Sequence, residues 1–237
     1  MRILESINET LHFMGKWLPG MLRLMALRFD RSPFESVAML EMFVRTRSSY
    51  IAQTSLFGYL KARMGTRFRV LFEDDVFSHA IRVAAARLFG SCLADLTIYS
   101  VSLCRDSGGL TEPEATALAA HLYDLGLEQG LAGFPDKDDD VRNEATARFR
   151  QRLAFLDWDQ ADDIAITFSS SEADLVRFAP VVDEFKELDR EIVMNSIRFR
   201  WRDIREQLRK RLQGGSVAAD WSGRSRPPVV QDPLPAG

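Results

Sequence analysis

Residues 88–104 run for seventeen positions with a single charged side chain, Asp95, and that run constrains everything the chain can become. A carboxylate in so apolar a stretch is costly to bury unless a cation and hydrogen-bond donors meet it. The run falls short of the about 20 apolar residues that a membrane-crossing helix needs, and it contains Ser and Thr as well as Asp. It therefore reads as the central helix of a packed core. Two long helical stretches, residues 32–64 and 74–105, flank a basic-then-acidic turn. Together they predict an antiparallel helical hairpin.

With a turn near residue 69, facing positions sum to about 138, which sets Asp95 level with Phe43 and within about one turn of Arg45 and Arg47. The planar guanidinium fork suits a carboxylate. The structural expectation is a buried pair of Asp95 with Arg45 or Arg47 that fixes the register of the bundle. The functional alternative makes that pair the floor of a polar pocket lined by Tyr50, Gln53 and Tyr99, suited to an anionic ligand.

Helix signals dominate the rest of the chain. Ile3, Leu4, Ile7, Leu11 and Met14 follow helical spacing, and a second short helix near residues 21–29 carries arginines beside its apolar face. Residues 1–31 are thus expected to form N-terminal amphipathic helices, either a lid on the bundle or a membrane-surface element. Glu5 and Glu9 interrupt the pattern a signal peptide would need. Ser32-Pro33-Phe34-Glu35 predicts a capped helix start and Gly65 its stop; Asp74 or Asp75 predicts the next start. Thr111-Glu112-Pro113-Glu114 predicts a capping box for a helix ending near Gly130, and a further helix is expected over residues 139–156. Ile164-Ala165-Ile166-Thr167-Phe168 is compatible with a short extended piece. A final helix is expected from about residue 171 to 212, kinked at Pro180. Residues 214–237 hold four glycines and four prolines in 24 positions, which predicts a disordered tail over 213–237. The expected fold is all-α: a single bundle domain over residues 32–212 with six to eight helices.

Several chemistries lack their sequence patterns. Asp75 and His79 share a helix face, but two ligands make no metal site and an ion pair is the plainer reading. Asp136-Lys137-Asp138-Asp139-Asp140 and Asp157-Trp158-Asp159 lack the glycine and glutamate of an EF-hand loop and read as helix caps. No phosphate-cradling glycine loop is visible. Phe89-Gly90-Ser91-Cys92-Leu93 lacks the second glycine of a nucleophile elbow. Cys92 and Cys104 lie on one helix roughly 18 Å apart at 1.5 Å per residue, too far to bridge, and read as reduced core residues of a cytoplasmic protein.

Charge is distributed unevenly. Residues 1–105 carry a balance of +5 and residues 106–237 one of −8, for a net −3. Overall acidity argues against a nucleic-acid binder. The basic residues Arg198, Arg200, Arg202, Arg205, Arg209, Lys210 and Arg211 cluster near the end of the last long helix, as a face docked on the acidic half or as a site for an acidic partner. Earlier on that helix, Phe185, Leu188, Ile192, Asn195 and Phe199 alternate three- and four-residue steps, a coiled-coil-like seam for bundle packing or self-association.

The segment from Phe43 to Asp75, FVRTRSSYIAQTSLFGYLKARMGTRFRVLFEDD, together with the helix after it, resembles part of an uncharacterised bacterial all-helical family whose members sometimes carry an esterase label. The resemblance implies a bacterial helical protein and, through the label, a hydrolase, although the label's usual nucleophile motif is missing. The residues themselves favour a non-enzymatic cytoplasmic binding or assembly protein. It would engage an acidic partner or an anionic membrane surface through its basic and amphipathic helices, peripherally on the inner membrane if there. The alternative is a small-molecule or lipid-binding protein, in its enzymatic form a hydrolase, using an interior Arg/Tyr/Asp pocket. Neither a metal nor a cofactor is expected.

Overall fold

In this computed structural model the described residues are 32–65, 74–132 and 139–224, and among them eight α-helices and one 3-10 turn occur without a strand. The expected helices of residues 1–31, the turn at 66–73 and the tail beyond residue 224 lie outside the described residues. In chain order the helices are α1 (Val37–Met64), α2 (Asp75–Gly108), α3 (Glu112–Leu131), α4 (Asp139–Ala154), α5 (Ile164–Thr167), α6 (Ser169–Phe178), α7 (Asp183–Arg211) and α8 (Gly214–Arg224). The 3-10 turn, Trp158–Gln160, lies between α4 and α5. No described helix is long and apolar enough to cross a membrane.

The apolar run becomes the axis of the bundle. Helix α2 is buried on every side from Leu88 to Val101 and packs against α1, α3, α4, α6 and α8. Burial of each large apolar side chain contributes about 1.5–3 kcal/mol, so this one helix anchors most of the core. The Ser48 hydroxyl on α1 donates to the Cys92 carbonyl on α2 at 3.2 Å. The first turn of α1 and the last turn of α2 both meet α8, through Val37 and Gly108 respectively.

The ends of the elements follow local chemistry, with five corrections to the sequence reading. Asp74 caps α2 by accepting from the Phe77 N–H at 3.0 Å, and Thr111 with Glu114 forms the capping box of α3. The cap of α1, however, is Ser36 and not Ser32. Residues before it are extended, because Phe34 donates its N–H to Arg211 at 2.7 Å and accepts from Gln213 at 3.0 Å. The buried Phe34 ring, 4.7 Å from Phe43, adds packing to those two backbone bonds. Residues 214–224, assigned above to a disordered tail, form α8. The glycines there serve close approach: a Cβ on Gly214 would lie 3.1 Å from the Leu103 carbonyl and collide with the Ser107 hydroxyl.

The expected final helix is two helices, since Pro180 lacks an N–H donor and Ala179 already has extended ψ 130. Helices α6 and α7 pack against each other across that break. Ile164-Ala165-Ile166-Thr167 is a single helical turn rather than an extended piece, because Asp163 accepts from the Ala165 N–H at 2.8 Å. Gly130 does not end α3 but lies within it, where the Phe89 ring occupies the space of a Cβ.

Two outcomes follow from the α8 contact. Alanine is favoured over glycine in a helix by about 1 kcal/mol, yet a Cβ at Gly108 would stand 2.5 Å from that of Ala218. Gly108→Ala is expected to lower the melting temperature, since overpacking costs about 1–3 kcal/mol; a raised melt would mean that α8 does not seat there. Asp220 accepts from the Val37 N–H at 2.8 Å, and that bond first, then Arg224, holds its carboxyl below the ordinary 3.8. A depressed carboxylate stabilises the fold above its unfolded value and ceases to as pH falls through the folded one. The melting-temperature gap between wild type and Asp220→Asn should therefore close on acidification below about pH 3.8. A gap independent of pH would refute the tie.

Candidate functional site

One face of α2 carries Arg87, Gly90, Ser91 and Ala94, spaced three, four and seven residues from the first, with Asp95 beside them. The small side chains of Gly90 and Ala94 leave room, and α4 approaches over Glu144, Ala145, Arg148, Phe149 and Arg152. Between them opens a half-open cleft of about 540 Å³. Ser169 and Ser170 of α6 also line it, as do the exposed apolar side chains of Phe155 and Ile166.

Two arginine–aspartate pairs make the polar floor. Asp95 is fully buried; it accepts from Arg152 Nη1 at 2.5 Å and from the Ser171 backbone N–H at 2.8 Å. Helix α6 has no cap of its own, as Phe168 precedes it, so Asp95 supplies the missing acceptor from another helix. Arg152 also donates to Ser170 Oγ at 3.0 Å and to the Thr167 carbonyl at 2.6 Å, which fastens α4 to the turn between α5 and α6. Burial pushes the Asp95 carboxyl above its ordinary value, and Arg152 and Ser171 pull it only part of the way back.

The second buried acid, Asp174, accepts from Arg148 Nη2 at 2.5 Å and from Ser91 Oγ at 2.6 Å. At the rim, Arg87 and Glu144 pair at 3.2 Å with both side chains more than a third exposed, which stabilises little. The Tyr123 ring stacks on Phe149 at 3.8 Å, its hydroxyl donates to the Ala145 carbonyl, and burial pushes its pKa upward.

The chemical range of this arrangement is narrow. Ser91 is next to a carboxylate, but Arg148 already compensates that charge, so Asp174 is poorly placed to draw off the serine proton. Burial pushes the neighbouring Cys92 thiol well up, away from thiolate chemistry. His79 and His121, the described histidines, do not line the cleft; His121 lies against Trp221 at 5.3 Å. Among the described residues no cluster of three potential metal ligands occurs. What the floor offers is a set of fixed N–H and O–H donors beneath apolar walls.

The residues chosen by spacing do not converge here, apart from Asp95. Its partner is Arg152, not Arg45 or Arg47, because a helix buried on all sides presents different faces to different neighbours, and Asp95 looks toward α4 and α6. Arg45 donates to Glu41 at 2.8 Å and Arg47 is buried with its guanidinium 5.6 Å from the Phe43 ring. Tyr50 is half-buried, and Gln53 donates to Ser49 at 3.1 Å. Tyr99 is buried against Phe168 at 5.3 Å.

Of the basic residues of α7, Arg200, Arg205 and Arg211 are half-buried, and Arg198, Arg202, Arg209 and Lys210 are exposed. Arg198 pairs with buried Glu172 at 2.6 Å; Arg205 lies over Phe168, Arg209 over Tyr99 and Arg211 over Phe34. Arg200 reaches α1 beside Gly58, Arg202 lies over Phe199, and Lys210 is 3.8 Å from Glu206.

The residues that do hold the site, Ser91, Arg148, Arg152 and Asp174, had weak signals. Glu144, Arg148 and Arg152 follow four-residue steps on one face of α4, a pattern that normally marks a solvated, salt-bridged helix. Comparison with family models, curated proteins and solved structures returns no match to this chain. A functional reading therefore rests on the geometry.

Removing one partner of a buried pair is far more damaging than replacing both. Asp95→Ala is expected to cost about 3–5 kcal/mol in urea unfolding, by stranding Arg152 and the start of α6. A double-mutant cycle of Asp95→Ala with Arg152→Ala should return a coupling above about 0.5 kcal/mol. Simple additivity would eliminate the pairing.

Proposed function

We propose that the protein is a non-catalytic binding protein for a small amphiphile, with an apolar body and a compact oxygen-bearing head such as a monocarboxylate. One observation carries this reading: a cleft of about 540 Å³ whose walls are apolar and whose floor is built from arginines already paired with acids. That volume lies within the range of about 300–1,000 Å³ typical of small-ligand sites. Arginine has five N–H donors, so a guanidinium that grips Asp174 or Asp95 retains others for a ligand head.

Pairing also sets the selectivity. Arg87, Arg148 and Arg152 are balanced by Glu144, Asp174 and Asp95, so long-range attraction for anions is weak and recognition falls to short hydrogen bonds. The exposed Phe155 and Ile166 in the cleft lining favour an apolar body over a purely polar one. Arg205 and Arg211 lie half-buried over Phe168 and Phe34, whereas Arg198 and Arg209 stay exposed, so the same helix also supports the alternative of an acidic partner.

Isothermal titration with dodecanoate tests the reading. Saturable one-to-one binding is expected for the wild type. Ala94→Phe should fill the cleft and abolish it. Arg87→Met, which removes the exposed pair with Glu144 and a guanidinium 5.4 Å from the Phe178 ring, should weaken it about tenfold, or about 1.4 kcal/mol, with helicity unchanged. No saturable binding by the wild type up to the solubility limit would defeat the proposal.

A further inference from the structure

Helix α7 carries two apolar stripes, and the bundle uses only one. Val193, Ile197, Trp201, Ile204 and Leu208 are buried and seat the helix. Phe185, Leu188, Ile192 and Phe199, with Asn195 in register, make a second stripe that faces outward; Leu188 is 73% exposed, Ile192 72% and Phe199 61%. The stripe follows the alternating three- and four-residue steps of a two-helix seam and spans about 21 Å at 1.5 Å per residue. Isolated exposed apolar residues need no explanation, whereas a continuous stripe in heptad register marks a contact surface.

The charges beside the stripe identify its occupant. Residues 183–191 carry Asp183, Glu184, Glu187, Asp189 and Glu191 against Lys186 and Arg190, a balance of −3. Residues 198–211 carry seven bases against Asp203 and Glu206, a balance of +5. The helix is thus acidic in its first third and basic in its last. An anionic membrane would be repelled by the acids that flank Phe185, Leu188 and Ile192. A parallel copy of the same helix would set acid against acid. An antiparallel copy centred between residues 193 and 194 sets residues 183–191 against 196–204, which carry Arg198, Arg200 and Arg202 against Asp203, a balance of +2, and it does so twice, by symmetry.

We propose that two copies of this chain associate through the outer stripe of α7, antiparallel, about a twofold axis between residues 193 and 194. That register puts Leu188 across from Phe199 and Ile192 across from Asn195, with Glu187, otherwise held only by an exposed pair with Arg190, near Arg202. Arg202 is exposed beside the stripe, its guanidinium 4.5 Å from the Phe199 ring, and Arg63 over the Phe185 ring at 4.2 Å orders the opposite end. Asn195, whose Oδ1 accepts from Arg198 of the same chain at 3.2 Å, faces Ile192 rather than its own copy in this register. The interface is remote from the cleft residues, so dimerisation and ligand binding are separable.

Sedimentation velocity on the full chain across the micromolar range tests the proposal. The wild type should sediment as a dimer that weakens with salt. Leu188→Glu with Ile192→Glu should be monomeric with an unaltered melt, since both side chains are exposed. Orientation is read from single cysteines under mild oxidation: Asn195→Cys, near the axis, should link copies covalently, and Phe185→Cys, far from it, should not. A wild type that stays monomeric throughout overturns the proposal, including one whose stripe is covered by residues 1–31. So does a dimer indifferent to the double substitution, and a Phe185→Cys dimer that links to itself refutes the antiparallel arrangement.

Discussion

The carboxylate of Asp95 joins four helices at one point. It is rooted in α2, ion-paired to Arg152 of α4 and capped onto the first turn of α6. Ser171, whose N–H it accepts, uses its own hydroxyl to accept from Trp201 of α7 at 3.0 Å. Such a cluster stabilises less than an apolar replacement of equal volume would, because burying two charges is costly. Its value is specificity. Alternative packings of an all-helical chain differ little in hydrophobic burial, but only one of them gives this acid both its guanidinium and its backbone donor.

The same demand explains why a cleft exists beside the core at all. Arginine side chains are long, so α4 cannot close onto α2 while Arg148 and Arg152 reach inward for Asp174 and Asp95. At Gly90 the two helices still meet closely, since a Cβ there would stand 3.1 Å from that of Ala145, and the cleft opens beside that contact. Beside this face of α2, Gly126 of α3 approaches so closely that a Cβ there would stand 3.1 Å from Leu93.

How much of this could be read from the chain depends on the range of the interactions. Caps built from residues three apart, such as Asp74 with Phe77 and Thr111 with Glu114, are local and were legible. So was the all-helical class, and so was the need of Asp95 for a cation. The identity of that cation was not, since level along a hairpin does not settle which face of a fully buried helix an acid occupies. Ser32-Pro33 looked like a helix start because nothing local reveals that Phe34 pairs with a segment nearly 180 residues on. The glycines of α8 looked like disorder for the same reason: their role is written in Leu103 and Ser107, not in their own neighbourhood.

Phe34 and Val37 find their partners in Arg211, Gln213 and Asp220, near the far end of the described chain. A nascent polypeptide leaving the ribosome would therefore hold an α1 capped by Ser36 alone, with the extended residues before it unpaired, until residues 211–220 had been synthesised. The clasp must close late, after α2 and its arginine links have formed. Late closure makes this end of the bundle the place where an incompletely made chain differs most from a finished one, and where a quality-control protease would find its earliest opening.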